Sequence, residues 1–307
     1  MARGHHTLGC DTPAMTAAIL VVLKGSIILS VFAIGLKATF AHATFLFRRP
    51  GHCLRALLSM NVLMPLVAWA IATPFDLHPA AKIALVVISV SPTPPVLPKK
   101  ALKAGGTEAY TIGLLVTTAA LSIVVIPLSL EVFERVTGVP LAMRGGAVAT
   151  LVLTTILAPL LVGIGVRALA SANAERMAEP VSVVATVLLM VAAVPIVIGL
   201  AGPVFSVMTA GTVLSLAAFA LVGLVTGHLL GGPEFDNRPV LALATASRHP
   251  AMALAIAHEN FPDQRLVAPE VALYVILGGI LSAVYLTWVT RTRHSAASAK
   301  ARTPVGG

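Results

Sequence analysis

Nine stretches of mostly apolar residues follow one another along the chain, each about 20 residues long, the length that a helix needs to cross a bilayer. Gly202–Pro203 is expected to form the turn between the sixth and seventh. These stretches predict an all-α integral membrane protein of about nine transmembrane helices over residues 14–290, with tails at 1–13 and 291–307. The stretches are residues 14–36, 54–73, 80–104, 108–130, 145–169, 179–200, 206–230, 239–259 and 268–290.

Composition supports a membrane protein and argues against a water-soluble one. Charged residues make up 11% of the 307 residues, whereas soluble domains carry about 25%. The net charge of +9 does not indicate nucleic-acid binding, because the basic residues lie in loops and tails rather than on one soluble face. The expected surroundings are a lipid bilayer, and the sequence leaves the oligomeric state open.

The basic residues predict the orientation. Positive charge gathers on the cytoplasmic side of membrane proteins. With an outer N-terminus, fourteen lysines and arginines are cytoplasmic and five are outside, which predicts an outer N-terminal tail, a basic cytoplasmic C-terminal tail and a place in the plasma (inner) membrane. The cytoplasmic set is Lys37, Arg48, Arg49, Arg55, Lys99, Lys100, Lys103, Arg167, Arg176, Arg238, Arg291, Arg293, Lys300 and Arg302; the outer set is Arg3, Lys82, Arg135, Arg144 and Arg265.

Two of the nine spans contain residues that interrupt a helix. The third, 80–104, contains four prolines within seven residues, and the eighth, 239–259, contains Arg248, His249 and Pro250 near its middle. Proline removes a backbone donor and clashes with the preceding turn. Interrupted helices at matching positions of two inverted halves indicate the binding site of a secondary transporter. The predicted helix breaks are Pro92, Pro94, Pro95, Pro98 and Pro250.

Three segments resemble the bile acid:sodium symporter family, within the wider group of bile acid, arsenite and auxin-type carriers. They are FAIGLKA at 32–38, VSPTPPVLPKKALKAGG at 90–106 and ASRHPAMALAIAHENF at 246–261. The resemblance implies a panel bundle of helices 1, 5 and 6 and a core bundle of helices 2–4 and 7–9. The interrupted helices would cross in the core, and substrate would enter the crevice between bundles. Relatives typically have ten helices, so the resemblance implies that the first is missing here.

The resemblance also implies where relatives bind sodium. The matching positions here are Leu97, Pro98, Ala244 and Arg248, which replace a Ser-Asn pair, a carboxylate and a glutamine. Sodium needs oxygen ligands, and an arginine would repel it. We therefore expect no metal site and no sodium coupling at these positions; proton coupling and uniport both stay open.

Two basic residues lie deep within predicted spans. Lys24 follows the start of its span by ten residues, and Arg248 follows Pro239 by nine, while all 12 acidic residues lie at helix ends, in loops or in tails. Charges inside a membrane normally pair or mark a pathway. Arg248 either replaces sodium structurally through carbonyl contacts or binds substrate, and Lys24 either extends to the membrane surface or binds substrate. Together they favour an anionic substrate.

Other residues near the breaks are weaker substrate-site candidates. His249 could carry a proton or hold a structural hydrogen bond. Pro94 and Pro95 border the first break. Thr117, Thr118 and Ser122 could supply hydroxyls to the crossing, although such residues often bond to their own helix backbone.

The predicted function is that of a secondary active transporter that moves a small organic anion by alternating access. No cofactor is expected. The sequence has no nucleophile motif, no mid-membrane aspartate and no metal-ligand cluster, so an enzyme is not predicted. A sensor or scaffold on a carrier fold is the main alternative, because the coupling ligands are replaced. An arsenite exporter is a further option, although neither Cys10 nor Cys53 lies in an interrupted helix.

Overall fold

The computed structural model describes residues 13–137 and 145–302, and within them the chain forms eleven helices, a single helical turn at Phe40–Ala43 and no strand. Eight helical segments are long and apolar enough to cross a membrane, and an interrupted span of two shorter helices, α3 and α4, makes the ninth. The predicted all-α membrane fold of about nine helices is confirmed. The helices are α1 Pro13–Lys37, α2 Pro50–Ala72, α3 Pro79–Val90, α4 Leu97–Lys103, α5 Glu108–Thr137, α6 Gly145–Leu169, α7 Ser171–Val207, α8 Ala210–Leu230, α9 Asn237–Ala246, α10 Pro250–Asn260 and α11 Val267–Arg302.

One detail of the predicted boundaries is wrong. The Gly202–Pro203 pair does not form a turn, because α7 continues through it to Val207 and the turn follows at Met208 and Thr209. A proline inside a membrane helix is tolerated where neighbouring groups satisfy the freed backbone. The predicted C-terminal tail also begins as helix, since α11 continues to Arg302. The N-terminal tail lies outside the described residues apart from Pro13.

Helices α1, α6 and α7 pack against one another and form one bundle, here called the panel. Where α1 meets α6, Gly35 and Gly163 face each other so closely that a Cβ atom on Gly163 would lie 2.6 Å from the Phe32 carbonyl oxygen. Small residues allow such close backbone contact between membrane helices. The panel is therefore held together partly by glycine contacts that leave no room for a side chain.

The remaining helices form a larger bundle, here called the core. Its tightest contact joins α8 to α9, where Gly223, Gly227 and Gly231 face the α9 backbone; a Cβ on Gly227 would lie 2.5 Å from the Ala242 Cα atom. The core meets the panel where α5 packs on α6 and where α11 packs on α7. The panel therefore contains predicted spans 1, 5 and 6, and the core contains the other six. The family resemblance implies the same division.

Two helices contain a widened π turn, one in each bundle. The turns are Leu58–Leu63 in α2 and Leu153–Leu157 in α6, and each is followed within two residues by a proline, Pro65 or Pro159. A proline ring clashes with the carbonyl four residues earlier, and a π turn relieves that clash by widening the helix. The wider turn also leaves backbone carbonyls without their usual helical donor, and one of these belongs to the candidate site.

Candidate functional site

The first interruption is the non-helical segment 91–96 between α3 and α4. Helix α3 ends at Val90, and Ser91 has extended backbone angles, as expected for a residue before a proline. Pro92, Pro94 and Pro95 lie in this break and are buried. Pro98 does not: it occupies the first turn of α4, where a proline is tolerated because its missing N–H has no helical partner to lose.

The second interruption is residues 247–249, between α9 and α10. Ser247 and His249 are extended, and Pro250 lies in the first turn of α10 and thus marks its start. The two breaks touch: the His249 backbone N–H donates to the Pro92 carbonyl oxygen at 2.9 Å. We call the contact of segments 91–96 and 247–249 the crossing. The prolines of the first break leave the Pro92 carbonyl without a helical donor, and the backbone of the second break supplies one.

The Arg248 side chain joins the crossing to helix α2. Its side chain is buried, and its guanidinium donates through Nη1 to the Ser91 carbonyl at 3.1 Å and through Nη2 to the Met60 carbonyl at 2.6 Å. Met60 lies in the π turn of α2, whose widened geometry frees a carbonyl. In the described part of the chain Arg248 forms no ion pair with a carboxylate. Its positive charge is held by carbonyl oxygens.

Side-chain hydroxyls surround the crossing. Thr118 on α5 bonds to Thr93 in the first break at 2.7 Å, and Ser59 on α2 bonds to Thr245 on α9 at 2.8 Å. Tyr274 on α11 donates to the carbonyl of Ala246, the last residue of α9. Carbonyls at a helix end lack a helical donor, so Tyr274 caps α9 from a neighbouring helix.

Sequence reasoning had selected Thr118 but missed Ser59, Thr245, Tyr274 and the Met60 carbonyl. For Tyr274 a signal existed: the chain has only 3 tyrosines, and a buried tyrosine hydroxyl usually finds a hydrogen-bond partner. No feature of the sequence could have identified the Met60 carbonyl, because every residue has a backbone oxygen.

The hydrogen bond from Tyr274 gives a direct test of this cap. The Tyr274→Phe variant should lower the free energy of unfolding by about 1–2 kcal/mol, because it leaves the buried Ala246 carbonyl without a donor. Thermal unfolding of the purified protein in detergent measures the change. A wild-type melting temperature would show that the hydroxyl does not support the end of α9.

Several candidate residues occupy buried positions without a side-chain partner. The Thr117 hydroxyl, His249 Nδ1 and Arg248 Nε are buried and have no hydrogen-bond partner. Ser122 bonds instead to the Ala119 carbonyl of its own helix at 2.6 Å. His249 lies in the second break itself, Thr118 bonds to Thr93 in the first break, and Thr117 precedes Thr118 in α5. The structure therefore places these three candidates in the core, near the crossing.

Lys24 lies apart from this group. It is on α1 in the panel, its side chain is exposed, and among the described contacts no hydrogen bond or ion pair joins it to the crossing. The structure therefore does not bring the two deep cations together at one site.

The residues at the sodium positions of the family do not fit a sodium ion. Leu97, Pro98 and Ala244 are buried and supply no side-chain oxygen, and the fourth position is the Arg248 guanidinium. Sodium is a hard cation that needs oxygen ligands, and a guanidinium offers only donors. In the described residues no group of three or more His, Cys, Asp or Glu side chains could hold a metal ion.

A cleft separates the panel from the core beside the crossing. It lies between α1 and α7 on one side and α4 and α5 on the other, and its cavity volume of about 90 Å³ is smaller than the roughly 300–1,000 Å³ usual for ligand pockets. We call it the inter-bundle cleft. It is lined by Ala33, Ile34, Lys37, Pro98, Lys99, Leu102, Glu108, Ile112 and Ser182.

The two lysines of the inter-bundle cleft bond to residues of the panel. Lys37 pairs with Glu179 at 3.1 Å, within the panel. Lys99, on the core side, reaches across to α7 and donates to Thr186 Oγ1 at 2.8 Å and to the Ser182 carbonyl at 3.5 Å. The sequence identifies Lys99 only as a cytoplasmic charge, because its neighbours on α7 are more than eighty positions away in the chain.

Comparison with known proteins agrees with this architecture. The sequence model of the sodium bile acid symporter family matches residues 26–225, from α1 into α8 and through the first interrupted span. A search of the curated proteins finds no match to the chain. Because the family match covers more than half of the sequence, the chain belongs to the sodium bile acid symporter family.

Proposed function

We propose that this transporter-family protein is a secondary carrier of a small organic anion, working by alternating access between panel and core. The family supports transport, and two interrupted helices that meet in one bundle support a carrier mechanism. The inter-bundle cleft supplies a site open to both bundles, and its lining includes two lysines. Substrate would bind there, and the bundles would rock about it.

The observation that carries the mechanism is the position of Arg248. Its guanidinium bonds to Ser91 and Met60 carbonyls, where a cation bound at the crossing would find oxygens. The Arg248 guanidinium therefore takes the place that a bound cation would have at the crossing. The core is then complete without a bound ion, and sodium is not required for its assembly.

The orientation belongs to the same proposal. The end of the bundle that carries Lys37, Lys99 and Arg293 holds most of the basic residues, so we place it in the cytoplasm, with the N-terminus outside. The inter-bundle cleft then lies toward the cytoplasmic side of the plasma membrane.

Proteoliposome uptake tests the proposed function. The rate of organic-anion uptake should be the same in sodium and in choline buffers, because the four ligand positions supply no side-chain oxygen and the Arg248 guanidinium occupies the nearby carbonyls. A proton gradient, imposed separately, decides between proton coupling and uniport. A strict sodium requirement would contradict the role given to Arg248. Solute binding without counterflow would instead identify a sensor on a carrier fold, which the replaced sodium ligands also favour.

A further inference from the structure

Among the described residues, Glu270 is the one acid whose side chain is buried. It lies in the first turn of α11, at a helix end like the other acids, yet it is only 1% exposed. Its Oε2 atom has no hydrogen-bond partner, and no described ion pair includes it. A buried charge is costly unless it is paired or hydrogen-bonded. This enclosed position therefore suits the neutral, protonated acid.

The surroundings of Glu270 belong to both interrupted spans. Helix α11 packs on α3, the part of the first interrupted span before its break, and on α10, the part of the second after its break. Helices α3 and α10 also pack on each other, and Ala80, Ile256 and Val267 of the three helices share one apolar cluster. Glu270 thus lies where the outer halves of the two interrupted spans meet α11.

Glu270 is also close to the crossing along α11. Residues four apart lie on the same face of a helix, about 6 Å apart along its axis. Tyr274, four residues after Glu270, donates to the carbonyl of Ala246, the residue that ends α9 before the second break. A change of charge at Glu270 therefore acts one helical turn from a contact that supports the crossing.

No neighbouring charge replaces a proton on Glu270. Residues 191–207 of α7 and 210–227 of α8 contain no acid, base or histidine. In the second break, Arg248 is bound to carbonyls, and His249 is buried. The titratable groups at the outer ends of α3 and α10 and in the turn before α11 are exposed or half-buried, and in the described contacts none pairs with Glu270: His78, Lys82, His258, Glu259, Asp263 and Arg265.

Resting on the proposed function, we propose that Glu270 binds the coupling proton, so that the carrier is a proton–anion symporter. The carboxylate takes a proton from outer water, is enclosed as the neutral acid in the arrangement described above, and returns the proton to water when movement of the core opens it toward the cytoplasm. Because Glu270 lies one turn from the crossing, the movement that changes access to the crossing also changes access to the acid. One carboxyl carries one proton, which cancels the charge of a monovalent anion.

Uptake into proteoliposomes at a clamped membrane potential tests the coupling. The probes are benzenesulfonate and hexanesulfonate, which stay ionised and so carry no proton themselves. With the outside more acidic by one pH unit, the wild type should accumulate the probe up to about tenfold, the limit for one proton per anion, and an internal pH dye should record proton entry. Glu270→Gln should lose accumulation and proton entry, while exchange of labelled for unlabelled probe persists at a reduced rate.

Two further variants separate Glu270 from other titratable groups. Glu259→Gln changes an exposed acid at the end of α10 and should accumulate the probe as the wild type does. His249→Gln removes the other buried titratable side chain beside the crossing apart from Arg248. Loss of accumulation in His249→Gln together with full accumulation in Glu270→Gln would assign the proton to the histidine and overturn the proposal.

Thermal unfolding in detergent measures the proton on Glu270 without a substrate. If the folded protein holds this proton more tightly than the unfolded chain, the stability that it contributes is lost as the pH rises. The melting temperature of the wild type minus that of Glu270→Gln should therefore fall between pH 5 and pH 8. The same difference for Glu259→Gln should show no such fall, because that acid is exposed.

The outcomes distinguish the two proposals. If the wild type exchanges neither sulfonate but the melting difference falls with pH, Glu270 holds a proton and the anion-carrier function fails. If the wild type exchanges the probe but a proton gradient drives no accumulation, the carrier function stands and the coupling role of Glu270 is overturned. Full accumulation by Glu270→Gln, or a melting difference that does not change with pH, would overturn it as well.

Discussion

The Arg248→Ala variant should be less stable than the wild type by about 2–5 kcal/mol, because it leaves two buried carbonyls, those of Ser91 and Met60, without donors at about 1–3 kcal/mol each. Removing a buried charge offsets part of this cost. The net effect remains destabilising because both carbonyls lie where the regular helix is interrupted and find no donor in their own segment.

Transport should be affected even more than stability. Arg248 joins α2 to the first break, while the His249 backbone joins the second break to the first. Without the guanidinium, Ser59–Thr245 is the remaining described side-chain bond between α2 and α9, and the two breaks keep only their backbone contact, so the core no longer moves as one body. Uptake should fall at least to a few per cent of the wild type, and Arg248→Lys should not restore it, since a single ammonium lacks the planar fork that reaches two carbonyls.

Arg238→Ala is the matched control for this variant. Arg238 also donates to a backbone carbonyl, that of Gly232 at 3.1 Å, but it is half-buried and lies near the helix end. Its loss should change the stability by less than about 1 kcal/mol, since a hydrogen bond near solvent is partly replaced by water. Equal melting temperatures for the Arg248 and Arg238 variants would show that the crossing does not depend on the guanidinium.

Sequence reasoning reached the spans and the breaks because both have strong local causes. A run of about twenty apolar residues has few structural outcomes besides a membrane helix. The prolines at 92, 94 and 95 cannot be accommodated in one helix, whereas Pro98 and Pro203 could be placed only from the structure. A proline is compatible with a first turn, as at Pro98, and with a long membrane helix, as at Pro203 in α7.

The partners of the deep cations could not be predicted for a different reason. Carbonyl contacts are one of the two alternatives that the sequence offers for Arg248, yet the Met60 oxygen depends on a π turn, whose cause is a proline five residues further on. The Lys99 contact depends on how α4 packs against α7, which is set by the whole core and panel. Pattern along the chain indicates which elements form; it does not indicate which backbone oxygen or distant hydroxyl a charge will meet.

The Gly163→Ala variant should destabilise the panel by about 1–3 kcal/mol, the usual cost of overpacking. The new Cβ would lie 2.6 Å from the Phe32 carbonyl oxygen and 2.8 Å from the Gly35 Cα atom. Both neighbours are backbone atoms, so no side-chain rotation can relieve the contact. Helices α1 and α6 must separate along their length.

Gly165→Ala provides a control two residues along the same helix. Apart from its chain neighbours and the backbone of its own helix, no atom lies within 4 Å of the Cβ position at Gly165, so the added methyl meets open space. Its only effect should be the better helix propensity of alanine, which is neutral or stabilising by up to about 1 kcal/mol. Thermal unfolding in detergent should therefore show a lower melting temperature for Gly163→Ala and an unchanged or higher one for Gly165→Ala.

The same pair tests whether the panel acts as a rigid body during transport. Helix α1 carries Lys37 of the inter-bundle cleft two residues after Gly35, so separation of α1 from α6 also displaces one wall of the cleft. Uptake by Gly163→Ala should fall several-fold while Gly165→Ala transports at the wild-type rate. If both variants melt and transport as the wild type does, the close contact of Gly35 with Gly163 does not hold the panel together, and α1 must be free to move independently of α6.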